Sequence, residues 1–266
     1  MIFCSINGKE VNSLSVNDRG LAYGDGLFTT AKIVNGQVEL LEQHLIRLIK
    51  GCEFLGINIE HLGDIKHSIE MYARSYKLAV LKVIITAGSG GRGYSRINLD
   101  ENASQLIIMV SDYPKHYDEL VNTGMSLGIS KNALSVSPML AGIKHLNRLE
   151  QVILRQELDL LPFDDLVVCN ANNFVVETTC ANIFYLDDQQ WKTPDLSLSG
   201  VDGLMRQNII KTIGDVKVTS TTIDELLCAT EVFICNSIMG LMPVRCLKQR
   251  DLSMIQSKKI REQLLD

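Results

Sequence analysis

Apolar and polar positions change period several times along the chain. IFCSING and KEVNSLSV alternate around Asn7-Gly8, and LFTTAKIVNGQVEL alternates around Asn35-Gly36. Asn-Gly between alternating runs is a tight-turn signal, so each stretch predicts a β-hairpin. From Leu41 the period lengthens. Leu41, Leu45, Leu48, Ile49, Cys52 and Leu55 recur at helical spacing, and Gly56 supplies a stop. A second helix is predicted over 61–76. AVLKVIITAG and SQLIIMVSDYP then read as strands joined by a glycine-rich stretch.

After Tyr113-Pro114 the sequence KHYDELVNTG is short and polar. It reads as a linker over 114–122, between a smaller domain, 1–113, and a larger one, 123–266. In the second part MSLGISKNA predicts a strand, and the residues from about His145 to Leu160 a helix. DDLVVCNANNFVVETTCANIFYLDD predicts consecutive strands turning at Asn172-Asn173, and GLMRQNIIKTIG a short helix. Thr222 stands three residues before Glu225, the spacing of a capping box, and that segment ends in a strand. The elements do not follow a strict strand–helix–strand series. The expected class is therefore α/β, with mixed sheets in two domains.

Composition narrows the function. The 266 residues are 46% apolar and 21% charged, with a net charge of −5. No basic block stands out, which argues against nucleic acid as a partner. No apolar run approaches a membrane span, and MIFCSINGKE lacks the layout of a signal peptide, so a cytoplasmic location is expected. Seven cysteines without a C-x-x-C, and five histidines without ligand spacing, indicate neither a disulfide framework nor a metal site.

Three features carry candidate chemistry. GSGGRG, residues 88–93, has the spacing G-x-G-x-x-G and follows a predicted strand. A dinucleotide loop must then open a helix, whereas YSRINLDEN has no helical period and leads to another strand. The alternatives are a plain hairpin loop or a lid that presents Arg92 to an anion. Lys144 sits between Leu140-Ala141-Gly142-Ile143 and the apolar Leu146 and Leu149. A lysine buried in such company loses solvation of its charged form, and the neutral amine can form a Schiff base with a carbonyl. Glu177 lies at a strand end after Val175 and Val176, where a buried carboxylate needs a partner; a protonated heterocyclic nitrogen would serve.

Together these segments resemble the fold-type IV pyridoxal-phosphate enzymes, the family of branched-chain and D-amino acid aminotransferases, and within it the lyase branch. The resemblance spans essentially the whole chain. Its markers are DRGLAYGDGLFTT (18–30), HLIRL (44–48), KVIITAGSGGRGYS (82–95), LAGIKHLNRLEQV (140–152), VVETTCANIF (175–184), GLMRQ (203–207) and ICNSIMGLMPV (234–244).

The resemblance implies a two-domain fold-type IV enzyme using pyridoxal 5'-phosphate, and a homodimer. It makes Lys144 the covalent anchor of the cofactor and Glu177 the partner of its ring nitrogen. Arg47, Ser237 and the backbone N–H groups of Leu204 and Met205 become the phosphate site. Thr30, Arg92, Asn236 and Tyr94 are the expected substrate-binding residues. Tyr23, Asp25 and Arg148 lie in the same motifs without an assigned step. The implied reaction converts 4-amino-4-deoxychorismate to 4-aminobenzoate and pyruvate for folate synthesis. Amino transfer on D- or branched-chain amino acids is the alternative.

Overall fold

The computed structural model describes residues 1–11 and 13–264. Contacts divide the chain into two compact units. One is Met1–Tyr113 together with Lys144–Asn147; the other is Pro114–Ile143 together with the chain from Arg148 onward.

The first unit is built on six strands, β1 (Phe3–Ile6), β2 (Lys9–Glu10), β3 (Gly26–Val34), β4 (Gln37–Val38), β5 (Leu78–Thr86) and β6 (Gln105–Asp112). They lie in the order β2-β1-β6-β5-β3-β4, and every neighbouring pair is antiparallel. Its helices are α1 (Arg19–Tyr23), α2 (Leu41–Leu55) and α3 (Ile65–Ala73). Both Asn-Gly hairpins form, with positive φ at Asn7, Gly8, Asn35 and Gly36 as such tight turns require. KEVNSLSV contributes only the two residues of β2, and Asn12 within it lies outside the described residues.

The alternation of β3 gives the sheet two different faces. Leu27, Thr29, Ala31 and Ile33 are buried, and Phe28, Thr30 and Lys32 are half-exposed. The buried face joins Leu48 and Cys52 of α2 and Ile69 and Ala73 of α3 in one apolar core. The half-exposed face is left to carry chemistry.

Residues 144–146 lie along β3. Phe28 N–H donates to Lys144 O at 2.9 Å, Leu146 N–H donates to Gly26 O at 3.0 Å, and Leu27 and His145 form an antiparallel bridge. This pairing explains why the helix expected from about His145 begins later. The main-chain groups of 144–146 are committed to a strand from another part of the sequence, so the helix starts at Leu149.

The second unit holds β7 (Met125–Ile129), β8 (Asp165–Cys169), β9 (Phe174–Thr178), β10 (Asn182–Asp187), β11 (Gln190–Pro194), β12 (Val216–Thr219), β13 (Thr221–Thr222), β14 (Glu231–Asn236), β15 (Gly240–Leu247) and β16 (Arg250–Asp251). The order is β12-β11-β10-β14-β15-β7-β8-β9-β13, with β16 on β15. This sheet is mixed: β7 runs parallel to β8 and β15, and β11 parallel to β12. Its helices are α4 (Tyr117–Thr123), α5 (Leu149–Leu158), α6 (Leu204–Ile213), α7 (Ile223–Cys228) and α8 (Ile255–Gln263).

Both faces of this sheet are covered. Ile183, Tyr185, Val232 and Ile234 enter one core, and Phe184, Leu186, Phe233 and Cys235 enter another. That burial explains the unbroken apolar runs of its strands. The polar stretch after Tyr113 forms α4, whose Tyr117, Leu120 and Val121 pack on the first of these cores. Thr222 and Glu225 form the expected capping box at α7. Glu231 receives N–H groups of Gln256 and Ser257, each at 2.9 Å, and so fixes the start of α8 against β14. Among the described residues, no helix is long and apolar enough to cross a membrane.

Candidate active site

In the first unit, Lys144 and Thr30 come to the half-exposed face of the antiparallel sheet. The Lys144 ammonium lies 4.6 Å from the centre of the Phe28 ring. Lys82, paired with Thr30 across β3 and β5, places its own ammonium 4.9 Å from that ring. A ring face attracts a cation, so Phe28 steadies two amines on one surface. Burial pushes the Lys82 ammonium below its usual pKa range. Sequence reasoning passed over Lys82. The signal was there, since it alternates with buried Leu81 and Val83 and therefore shares the face of Thr30.

Arg47 lies half-buried on α2, one turn beyond His44. His44 is 1% exposed, its Nδ1 is 2.5 Å from Thr29 Oγ1, and its Nε2 has no partner among the described residues. Burial first, then the positive charges of Arg47 and Lys144, push its pKa down to about 3. The folded protein therefore holds His44 neutral, while the unfolded chain protonates it near 6.5. The sign follows: this contribution to stability is complete above about pH 6.5 and is lost as pH falls towards 3. At pH 5 the loss from this group alone is about 2 kcal/mol. His44→Gln, which can still bond Thr29, is expected to lose about 2 kcal/mol less than wild type between pH 7.5 and pH 5 in guanidinium unfolding. Equal losses in the two proteins would show that His44 is not held neutral.

The glycine-rich segment is the connection between β5 and β6, and no helix follows it. Its carbonyls settle the nucleotide question. The oxygens of Gly90, Gly93, Tyr94 and Ser95 all turn inward onto the guanidinium of Arg19. A phosphate loop must aim N–H groups at an anion; this loop aims carbonyls at a cation. Arg92 and Tyr94 are exposed on it.

The second unit holds a buried carboxylate and a helix terminus. Glu177 on β9 is 7% exposed, and its Oε2 accepts the Val201 N–H at 3.0 Å. Asn182 on β10 then fixes the next residues. Its Nδ2 donates to Val201 O at 2.9 Å, and its Oδ1 accepts the Gly203 N–H at 3.1 Å. Gly203 lets Asn182 come close: a Cβ there would stand 2.0 Å from Asn182 Oδ1, so that side chain would have to move. Gly203 is the N-cap of α6 and has no side chain with which to cap the helix, whose first turn holds no acidic residue. The N–H groups of Leu204 and Met205 are thus presented at a helix start suited to an anion.

Arg206 anchors the helix by donating to Asp202, Thr193 and Pro194 O. Asn182 and Gly203 were missed as site residues, because an Asn inside a strand gives no local sign of what it will cap. Arg148 is near Glu177; burial lowers its pKa, and the charges of Glu177 and Glu150 work in the opposite direction.

Asn236 ends β14. Its Oδ1 accepts the N–H groups of Ile238 and Met239, and its Nδ2 donates to Cys180 O at 3.2 Å. The side chain expected to meet substrate thus also shapes the turn that carries half-buried Ser237. Among the described residues, no group of three or more His, Cys, Asp or Glu side chains is placed to hold a metal ion.

The fold is mixed α/β, with a sheet and helices in each unit. A family model described as amino-transferase class IV matches residues 26–247, and the chain belongs to that family. It is 35% identical to an aminodeoxychorismate lyase of Vibrio harveyi over 243 residues, 90% of this chain and 89% of that one. A D-alanine aminotransferase of Bacillus licheniformis is 22% identical over 87% of this chain and 82% of its own. Among solved structures, a 4-amino-4-deoxychorismate lyase from Pseudomonas aeruginosa superposes with a TM-score of 0.91 at 34% identity, covering 98% of this chain and 97% of that one. A branched-chain aminotransferase from Thermoproteus uzoniensis shares the fold, with a TM-score of 0.83 at 21% identity over 98% of this chain and 92% of its own.

Proposed function

We propose that the protein is a pyridoxal-phosphate-dependent lyase that converts 4-amino-4-deoxychorismate to 4-aminobenzoate and pyruvate. The observation that carries this reading is the Lys144 amine held over Phe28 beside a second cation, Lys82, in a chain 34–35% identical to lyases of that name. In this reading the enzyme works as a homodimer, as the family likeness implies, and in the cytoplasm.

Each unit, taken by itself, holds donors of the kind the cofactor needs. In the second unit the start of α6, whose N-cap Gly203 carries no side chain, suits a phosphate; in the first unit the guanidinium of Arg47 does. Ser237 can add a hydroxyl. Buried Glu177 suits the protonated ring nitrogen, and Lys144 the aldehyde carbon. When bound, pyridoxal phosphate supplies an electron-withdrawing ring conjugated to the substrate nitrogen.

The chain's own groups do the remainder. Glu177 keeps a proton on the ring nitrogen by charge. Lys144 Nζ would remove the proton from the substrate carbon bearing nitrogen. The carbon–oxygen bond to the neighbouring enolpyruvyl group breaks, the six-membered ring becomes aromatic, and Lys144 returns the proton to the departing fragment, which becomes pyruvate. The substrate carries two carboxylates, for which Arg92 and Lys82 are the cationic partners, with Thr30, Tyr94 and Asn236 as polar contacts.

The test is purified protein, loaded with pyridoxal phosphate, given fresh aminodeoxychorismate and no keto acid. The expected result is 4-aminobenzoate and pyruvate in equal amounts. No product, together with amino transfer from D- or branched-chain amino acids to 2-oxoglutarate, would overturn the reading in favour of an aminotransferase.

A further inference from the structure

The loop 88–96 has few regular bonds: an Arg92–Ser95 bridge lies within it, and Ser89 is bridged to Asp18. Gly88, Gly90, Gly91 and Gly93 all take positive φ. Glycines in such conformations are free to take many others, so fixing one shape costs backbone entropy that something must offset. Much of that offset comes from Arg19, which is only 3% exposed and whose main-chain N–H also donates to Gly88 O at 2.8 Å. Its Nη1 lies 3.5, 3.2 and 3.3 Å from the carbonyl oxygens of Gly90, Gly93 and Ser95, and its Nη2 donates to Tyr94 O at 3.0 Å. Its guanidinium also stands 5.1 Å from the Tyr23 ring centre, and Tyr23 meets the Tyr94 ring edge-on at 5.4 Å.

Asp25 fixes the guanidinium in turn, accepting from Arg19 Nε at 2.8 Å. It also accepts from Arg96 Nε at 3.0 Å and pairs with Arg96 Nη2. Arg96 donates onward to the carbonyls of Leu55 and Gly56 at the end of α2. Burial works to raise the Asp25 pKa, but the hydrogen bonds and charges of Arg96 and Arg19 outweigh it and hold the group below its usual value. A planar guanidinium can spread its donors over several carbonyls while keeping Nε for a carboxylate; an ammonium cannot.

We infer that Arg19, set by Asp25, is a positioning residue for substrate recognition: it fixes the shape of loop 88–96 and so the place from which Arg92 meets a substrate carboxylate. This inference rests on the substrate role given to Arg92 above. A loop held in its binding shape spares the substrate the cost of ordering it.

The experiment compares the holoenzymes of Arg19→Lys, Asp25→Asn, Arg92→Ala and the Arg19→Lys/Arg92→Ala double variant. Arg19→Lys and Asp25→Asn should each raise KM for aminodeoxychorismate about tenfold, with kcat within about threefold of wild type, since binding rather than chemistry is lost. Amide hydrogen exchange over 88–96 should quicken in both. The double variant should show the KM of Arg92→Ala alone, because two residues acting through one contact are not additive. KM increases that multiply, or unchanged exchange in 88–96, would overturn the inference. A wild-type KM in Arg92→Ala would overturn the underlying reading of Arg92. A raised KM there with an unaffected Arg19→Lys would overturn this inference alone.

Discussion

Replacing Lys144 with alanine is expected to abolish the lyase reaction while leaving the protein folded. The main-chain bonds that seat the segment, Phe28 N–H to Lys144 O and Leu146 N–H to Gly26 O, survive any side-chain change. What disappears is the amine beside Phe28. That amine is assigned two tasks, holding the cofactor covalently and moving a proton from substrate carbon to leaving group. A positioned acid–base group alone is worth about 10²–10⁴ in rate, so a fall in kcat of at least about 10⁴ is expected when both tasks are lost. Three measurements check it. Product formation should vanish, the yellow absorbance of lysine-bound pyridoxal should be missing, and borohydride treatment of wild type alone should fix the cofactor to the peptide containing Lys144. Lys82 offers an internal comparison, because its ammonium lies at nearly the same distance from the same ring. Lys82→Ala should retain the absorbance and the covalent label. An alanine variant at 144 that still turned over and still coloured would refute the anchor assignment.

Much of this architecture was legible because it is local. The Asn-Gly hairpins, the apolar stripe of α2 and the Thr222–Glu225 capping box each occupy a few adjacent residues, and each forms as its spacing dictates. The resemblance to a known family placed Lys144 and Glu177 in roles that no spacing could have assigned. What stayed hidden depends on distant partners. The helix after Lys144 starts at Leu149 because residues 144–146 pair with β3, more than a hundred positions earlier. Arg19 lay in view in DRGLAYGDG, but its worth comes from carbonyls more than seventy residues away, which no window on the sequence contains. The polar stretch after Tyr113 conceals a helix because only Tyr117, Leu120 and Val121 face a core that later strands supply. Asn182 is an ordinary strand residue until Gly203 and Val201 arrive beside it.

Glu177→Gln is expected to lower kcat by about two orders of magnitude with little change in KM or fold, comparable to losing one preorganised electrostatic contact to a transition state. The substitution keeps size and shape, and a Gln oxygen can still accept the Val201 N–H that Glu177 Oε2 accepts at 3.0 Å. Gly200, with φ +85°, lets the backbone come close: a Cβ on it would stand 3.2 Å from Glu177 Oε2. What the amide lacks is charge. A carboxylate 7% exposed can hold a proton on a neighbouring ring nitrogen, whereas a neutral amide in the same place leaves that proton free to depart. Without that proton, removal of the substrate proton by Lys144 would be harder. The loss should therefore fall on the proton-abstraction step, and a substrate deuterated at the nitrogen-bearing carbon should show a larger isotope effect on kcat in the variant than in wild type. Glu177→Asp, which keeps the charge but shortens the reach, should recover part of the rate. A glutamine enzyme with wild-type kcat would remove Glu177 from the chemistry and leave it as a brace for the turn leading into α6.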